Sequence, residues 1–351
     1  MTTETPARIS DMLELVPSAL LPEGYTVPAS RWIDPSKRMR ELLDTEPFLF
    51  GPGVYDPQGA ELAMYYGFKA VYFSGYSFAI GHLGTTDMDL YSGPEIADGA
   101  RRTISALRKF QLTMAVGDPE KGQRPKHLEI PPVVVDMDGG YGNLFNVQRT
   151  TELYVTAGVA AAHLEDQVLP KRCGHIGGKA LISADEMIGK LRMARAVAED
   201  LGRPDFVVIA RTDGVSAVDA PEKERGIELA IERALRYLAF NWSSSFKWFN
   251  GPDPITFAQL GELGYRFLFI TLGAQHAMAH GLSTLLQGMS ETQEQAYIEL
   301  QRKEWAAGQD LPSKSHHFFS GVPYHQLVGE SFGGSRLGSK FQEKLAEERV
   351  V

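Results

Sequence analysis

The sequence predicts an α/β protein built on a TIM-type (β/α) barrel, and three observations carry that prediction. Short apolar runs recur after Glu46, and most are followed by a helical pattern. The runs are near-continuous in Val, Ile, Phe and Ala, as parallel strands buried on both faces require. Nearly every run ends in a polar or reactive side chain: Ser74, Asp136, Asp138, Glu165, Arg211, Asp213, Asn241 and Thr271. A barrel gathers all its strand ends at one mouth, whereas a doubly wound sheet uses only those near its switch point. The competing sheet would also need a phosphate loop after its first strand, and "GPGVYDPQG" contains no GxGxxG.

The elements follow in order. Residues 1–45 read as an N-terminal arm with helices, Pro-rich and weakly periodic over most of its length. The barrel is expected over 46–285. Its runs are "FLFGPGVYD" from Phe48, "AVYFSGY" from Ala70, "PPVVVDMDGGYG" from Pro131 and "GVAAAHLEDQ" from Gly158. They continue with "FVVIARTDG" from Phe206, "LAFNWSSSF" from Leu238 and "YRFLFITLG" from Tyr265. Among the intervening helices, "SADEMIGKLRMARAVAEDLG" has Ser183 as N-cap, Glu186 three residues on and Gly202 as stop. Residues 286–351 read as a C-terminal helical segment packed on a neighbouring subunit. Phe318, Phe319, Tyr324 and Phe332 give it more aromatic surface than a solvated tail requires.

That count gives seven strands rather than eight. Between "ARTDG" and "AFNWSSSF" there is room for one helix, "PEKERGIELAIERALRYL", which runs into the next strand near Ala239. A βα unit of such a barrel occupies roughly 30 residues or more. The strands on either side of Leu238–Ala239 must therefore pair directly, tightening the mouth, or leave a slot with two open edges.

Bulk properties limit the function. The chain has 351 residues, 43% of them hydrophobic, enough for a large core. Its net charge is −9, which argues against general binding of nucleic acid or anionic membranes. A single cysteine forms no internal disulfide and fits a reducing, cytoplasmic setting. No stretch approaches the ~20 apolar residues of a membrane span, and the N-terminus does not read as a signal peptide.

Asp136 and Asp138 lie two apart at a strand end, so both can face the mouth. Carboxylates in an open site suit a hard cation such as Mg²⁺, while acidic turn residues are the plainer alternative. Glu165, Asp87 and Asp89 add further carboxylates, and their mutual repulsion favours the cation. Zinc fits poorly, because Cys173 and His175 lack paired spacing. Asn241, Ser243 and Ser245 alternate and could line one face of a carboxylate pocket, or form a polar turn. Arg211, ending a buried strand, needs an anionic partner. Cys173 could be a buried structural thiol, but Lys171, Arg172 and His175 surround it, and cationic neighbours make a thiol available for proton transfer or attack.

"KRCGH" followed by "IGGKALIS", with "HLEDQ" upstream and "ARTDG", "NWSSSFKW" and "FLFITLG" downstream, resembles isocitrate lyase of the isocitrate lyase/phosphoenolpyruvate mutase superfamily. The likeness runs from about Phe48 to Thr271, and the Asn-x-Ser-x-Ser strand distinguishes it from 2-methylisocitrate lyases. The resemblance implies a barrel of that kind and Mg²⁺-dependent cleavage of isocitrate to glyoxylate and succinate, as in the glyoxylate cycle. Mn²⁺ is a possible substitute ion. It implies that Asp138 binds the metal most directly, with Asp87, Asp136 and Glu165 around its water shell. Ser74, Gly75 and Tyr76 would line the glyoxylate end, with Tyr76 departing from the family's usual tryptophan. Arg211 would pair with a substrate carboxylate, and Gly174, His175, Asn241, Ser243, Ser245 and Thr271 would hold the succinate part. Cys173 would be the general acid, His175 would stand beside it, and Tyr72 would help to deprotonate the substrate hydroxyl. Family members carry an extra strand and helix near Leu238–Ala239, and they assemble as homotetramers that exchange C-terminal helices. The alternatives are a 2-methylisocitrate lyase or related carboxylate lyase, and an inactive truncated member acting only as an oligomer partner.

Overall fold

In the computed structural model every expected run becomes a strand. The structure describes residues 34–117, 125–173, 179–213, 239–242, 249, 254–306 and 312–331. The strands are β1 (Leu49–Val54), β2 (Val71–Phe73), β3 (Val133–Asp136), β4 (Ala161–Glu165), β5 (Val207–Arg211), β6 (Ala239–Asn241) and β7 (Phe267–Ile270). They form one sheet in the order β5-β4-β3-β2-β1-β7-β6. All neighbours are parallel, with Gly53 opposite Tyr72, Val134 opposite Ala161, Glu165 opposite Arg211 and Phe240 opposite Leu268.

That order is the circular order of a barrel cut at one place. The cut falls between β5 and β6, on either side of the short connection at Leu238–Ala239. Among the described residues these two strands do not pair, so the sheet is curled but open. Of the two outcomes the sequence allowed, a tightened ring or a slot, the described strands show the slot. The helix expected over "PEKERGIELAIERALRYL" lies outside the described residues.

Contact clustering divides the chain into two compact units. One contains 32–107 and 130–292 and carries the whole sheet. Its helices are α1 (Pro35–Thr45), α2 (Pro57–Tyr65), α3 (Gly75–Leu83), the first part of α4 (Gly93–Val116), α5 (Leu144–Ala157), α6 (Ala184–Asp200), α7 (Phe257–Glu262) and α8 (Gly273–Thr292). Local sequence starts and stops them. Asp34 and Asp56 cap α1 and α2 ahead of a first-turn proline. Ser183 accepts a hydrogen bond from the Glu186 amide, as its spacing predicts. Gly158, at φ 89°, ends α5 in a backbone conformation that costs glycine little.

The interior of the sheet is filled, not hollow. Leu49, Tyr72, Val134, Ala161, Val207, Ile209, Phe267 and Phe269 pack together from six strands. Met39 and Leu42 of α1 complete that cluster, and each buried Val, Leu or Phe contributes roughly 1.5–3 kcal/mol. Arg203 and Asp34 hold α1 in place through a 2.6 Å ion pair.

The other unit includes 108–129 and residues from 293 onward. Its described elements are the end of α4, α9 (Glu294–Glu304), α10 (His316–Phe319) and α11 (Val322–Ser331). Tyr324 packs on Ala115 and Val116, and Phe319 lies 4.7 Å from Phe110 between ring centroids. Phe318, Phe319 and Tyr324, expected to meet a neighbouring subunit, are thus already buried within the chain. Phe332 lies outside the described residues.

Candidate active site

Parallel strands bring their C-terminal ends to one side of the sheet, and the acidic residues of the sequence collect there. Asp136 ends β3, Glu165 ends β4 and Arg211 ends β5. Asp138 follows in the loop after β3 at φ 45°, a left-handed conformation unusual for a side chain other than glycine. Such an outlier belongs where surrounding structure enforces it. Here the Glu165 amide donates to the Asp138 carbonyl at 2.9 Å. Lys190, buried on α6, donates to the Gly139 carbonyl at 2.8 Å.

The charged groups form a linked network. Lys171 Nζ lies 2.6 Å from Asp138 Oδ1 and 2.5 Å from Asp87 Oδ1. Arg211 reaches Glu165 Oε2 at 2.9 Å and Asp213 Oδ2 at 3.1 Å. Lys179 pairs with Asp213 at 3.3 Å. Gln167 Nε2 lies 3.0 Å from Glu165 Oε1, 3.0 Å from Asp213 Oδ2 and 2.9 Å from the Arg172 carbonyl. The Arg172 amide in turn donates to Gln167 Oε1 at 3.0 Å. The segment leading to Cys173 is therefore tied to the carboxylates through both Lys171 and Gln167.

Electrostatics differ sharply among these acids. Burial raises Asp138, against the pull of Lys171, to about 7. Burial likewise raises Glu165, despite Arg211, to about 8. Asp136 is desolvated too, but His163, Lys171 and Arg211 outweigh that and hold it well below the usual carboxylate range. Asp87, Asp136, Asp138, Glu165, Asp166 and Asp213 are all buried, and Lys171, Lys179 and Arg211 are ion-paired within the network they form. Oδ2 of Asp138 has no hydrogen-bond partner although the residue is 1% exposed. Among the described residues no three acidic, histidine or cysteine side chains already meet as a metal cluster, and the Lys171 ammonium lies within 2.6 Å of both Asp87 and Asp138. The donor chemistry nonetheless fits a hard divalent cation: all-oxygen ligands and an orphaned carboxylate oxygen.

The remaining predicted residues divide into three groups. Ser74 caps α3, and the Gly75 amide points at Asp136 Oδ2 from 3.4 Å. A Cβ on Gly75 would collide with the Tyr91 hydroxyl and crowd the Asp136 carboxylate, so only glycine fits. Tyr76 is half-buried one residue on. At β6 and after β7, Asn241 Oδ1 and Thr271 Oγ1 are buried atoms without hydrogen-bond partners. Cys173 is half-buried and not in a disulfide. Gly174, His175, Ser243 and Ser245 lie outside the described residues, and β6 is described as a strand only to Asn241.

Sequence reasoning missed His163. Its Nδ1 lies 3.2 Å from the Tyr72 hydroxyl and 3.7 Å from Asp136 Oδ1, and the ring is 4% exposed. The signal was available, since His163 and Glu165 are two apart on one strand and share a face. Burial pushes the Tyr72 phenol well above its ordinary value, with the Asp136 charge adding to it. Tyr72 is therefore a neutral hydroxyl beside an imidazole rather than a phenolate base.

The phosphoenolpyruvate phosphomutase family profile matches residues 39–239. The isocitrate lyase of Haloferax volcanii is 34% identical over 346 residues, covering 90% of this chain and 92% of that protein. The 2,3-dimethylmalate lyase of Eubacterium barkeri is 36% identical over 200 residues, covering 57% of this chain and 58% of that one. Among solved structures, oxaloacetate acetylhydrolase in complex with 3,3-difluorooxalacetate is similar at a TM-score of 0.64 and 27% identity, covering 86% of this chain and 98% of that one.

Proposed function

Since the chain belongs to the phosphoenolpyruvate mutase/isocitrate lyase superfamily and its relatives are carbon–carbon lyases, we propose that it cleaves isocitrate to glyoxylate and succinate. The observation that carries this reading is the tie between Cys173 and the carboxylates. Lys171, two residues before the thiol, reaches Asp138 at 2.6 Å, and two residues of chain span at most about 7 Å. On this reading Cys173, as proton donor, and Asp138, as cation-binding acid, act in one site.

Members of the superfamily are metal-dependent. Asp138, with Asp87, Asp136 and Glu165 behind its water shell, would hold Mg²⁺. The ion would supply Lewis-acid polarisation of the hydroxy-acid end of the substrate. The chain's own groups do the rest. Ser74 and Gly75 would line the glyoxylate end, and Arg211 would exchange part of its pairing with Glu165 and Asp213 for a substrate carboxylate. The orphaned polar atoms of Asn241 and Thr271 await hydrogen-bond partners at the succinate end. The substrate hydroxyl loses its proton to the Tyr72–His163 pair, with the phenol handing its own proton to Nδ1. The C–C bond then breaks, leaving an aldehyde on glyoxylate and the electron pair on the carbon beside a succinate carboxylate. The Cys173 thiol delivers a proton to that carbon.

Tyr76, in place of the family's tryptophan, favours a second reading in which the substrate is 2-methylisocitrate or another small 2-hydroxy or 2-oxo carboxylic acid. A panel of isocitrate, 2-methylisocitrate, 2,3-dimethylmalate and oxaloacetate, each with and without Mg²⁺, separates the two. Mg²⁺-dependent glyoxylate from isocitrate is the expected result. Turnover of another acid alone supports the second reading, and inactivity on all four, with no binding of a hydroxy acid, supports a non-catalytic partner. A homotetramer in the cytoplasm is part of the proposal. Among the described residues no helix is long and apolar enough to cross a membrane.

A further inference from the structure

We infer that the Tyr91 hydroxyl donates a hydrogen bond to the carboxylate at the glyoxylate end of the substrate, a contact beyond those expected of Ser74, Gly75 and Tyr76. The inference deepens the isocitrate reading of the site and rests on it.

Tyr91 lies in the connection between α3 and α4, which also carries Asp87. The residue is 4% exposed, and its ring packs against Phe78 and Tyr141 at 5.6 Å and 5.9 Å between centroids. The hydroxyl at its tip is buried and has no hydrogen-bond partner among the described residues. An unpaired buried hydroxyl costs free energy, so one held this firmly calls for an explanation. Its position supplies one. A methyl group placed on Gly75 would overlap the Tyr91 hydroxyl and stand 3.0 Å from Asp136 Oδ2. The hydroxyl therefore abuts the first residue of α3, on the side of the Asp136 carboxylate that ends β3.

An anion needs donors at that place. At the start of α3 it meets the positive end of the helix, but also the carboxyl groups of Asp87, Asp136 and Asp138. The nearby groups already have work. The Ser77 amide donates to Ser74 Oγ at 3.1 Å, the Ser77 hydroxyl donates to the Thr271 carbonyl at 3.3 Å, and the Gly75 amide points at Asp136 Oδ2 from 3.4 Å. Tyr91 adds a hydroxyl that is not committed. Burial, with the charges of Asp138, Asp136 and Asp87 behind it, pushes the phenol well above its ordinary value. It keeps its proton and acts as a donor. A carboxylate entering beside Gly75 gains a charge-assisted hydrogen bond from a group whose ring is already fixed, so little ordering entropy is lost.

Tyr91→Phe removes the hydroxyl and keeps the ring. Calorimetry in the presence of Mg²⁺ should show glyoxylate binding weakened by about 10–100-fold, since a hydrogen bond to a charged group is lost. The affinities for Mg²⁺ alone and for succinate should stay as they are. The unfolding midpoint of the ligand-free protein should hold or rise, because an unpaired buried polar atom has been removed. Equal glyoxylate binding by the two proteins overturns the inference and leaves the isocitrate reading standing. Weaker binding of Mg²⁺ alone by Tyr91→Phe also overturns it, since the hydroxyl then serves the carboxylates. A lowered midpoint or a failure to fold overturns it as well, by showing that the hydroxyl is partnered within the fold. A wild type that binds no glyoxylate beside Mg²⁺ removes the isocitrate reading and the inference with it.

Discussion

Proton release on metal binding tests the cation site most directly. Burial raises Asp138 to about 7 and Glu165 to about 8. At about pH 7 the first carboxyl is protonated about half the time and the second about nine-tenths of the time. A ligating carboxylate must be ionised, so metal uptake expels whatever proton it carries. Mg²⁺ binding at about pH 7 should therefore release about 0.5 protons if Asp138 alone ionises, and about 1.4 if Glu165 ionises too. Calorimetry in buffers of different ionisation enthalpy reads this number from the slope of heat against buffer enthalpy. Asp138→Asn should remove about 0.5 of it and most of the affinity. Between about pH 6 and about pH 8 the ionised fraction of Asp138 rises about tenfold, equivalent to about 1.4 kcal/mol of apparent binding energy. Stability without metal runs the other way. Both acids bind protons more tightly folded than unfolded, so their contribution is complete below the ordinary carboxylate range. It is lost as pH rises through about 7 and 8. The rise in melting temperature on adding Mg²⁺ should therefore be larger at about pH 8 than at about pH 6. Zero proton release together with a pH-independent affinity would refute the reasoning.

Four further outcomes are expected. Cys173→Ser should bind substrate but lose turnover by about 10²–10⁴-fold, as removal of a general acid does, and near-normal glyoxylate production would count against the assignment. Lys190→Met should leave the buried Gly139 carbonyl unpaired and cost about 1–3 kcal/mol in denaturant unfolding; an unchanged midpoint would show that the contact is idle. On α8 only Gln275 is buried, and Met278, Leu282, Leu286 and Met289 expose an apolar stripe at helical spacing. Leu282→Asp with Leu286→Asp should break the proposed homotetramer in light scattering, while a wild-type monomer at micromolar concentration would remove the proposal itself. A βα unit inserted after Leu238 should close the gap between β5 and β6 and raise both melting temperature and turnover. Equality of the two proteins on both counts would mean that the open edges carry no cost.

The strands, their order of appearance and the Ser183 cap of α6 were legible in the chain itself. Buried parallel strands need unbroken apolar runs, and a cap needs its serine or aspartate within three residues, so both leave local marks. Asp136, Asp138, Glu165 and Arg211 were legible as site residues for the same reason, each standing where an apolar run stops. The short connection at Leu238–Ala239 marked in advance where the sheet would be open. Tertiary structure decided the pairings. Lys171 reads as a generic cationic neighbour of Cys173, yet its ammonium sits on Asp87, 84 residues earlier in the chain. His163 reads as strand interior until the sheet register sets it opposite Asp136 and its ring meets Tyr72. Phe319 and Tyr324 of the C-terminal segment read only as surplus aromatic surface until they pack on the end of α4. Periodicity and punctuation act over a few residues and are written locally. Partner choice for a buried charge or ring is set by which distant strands the fold makes neighbours, and only the folded chain contains that information.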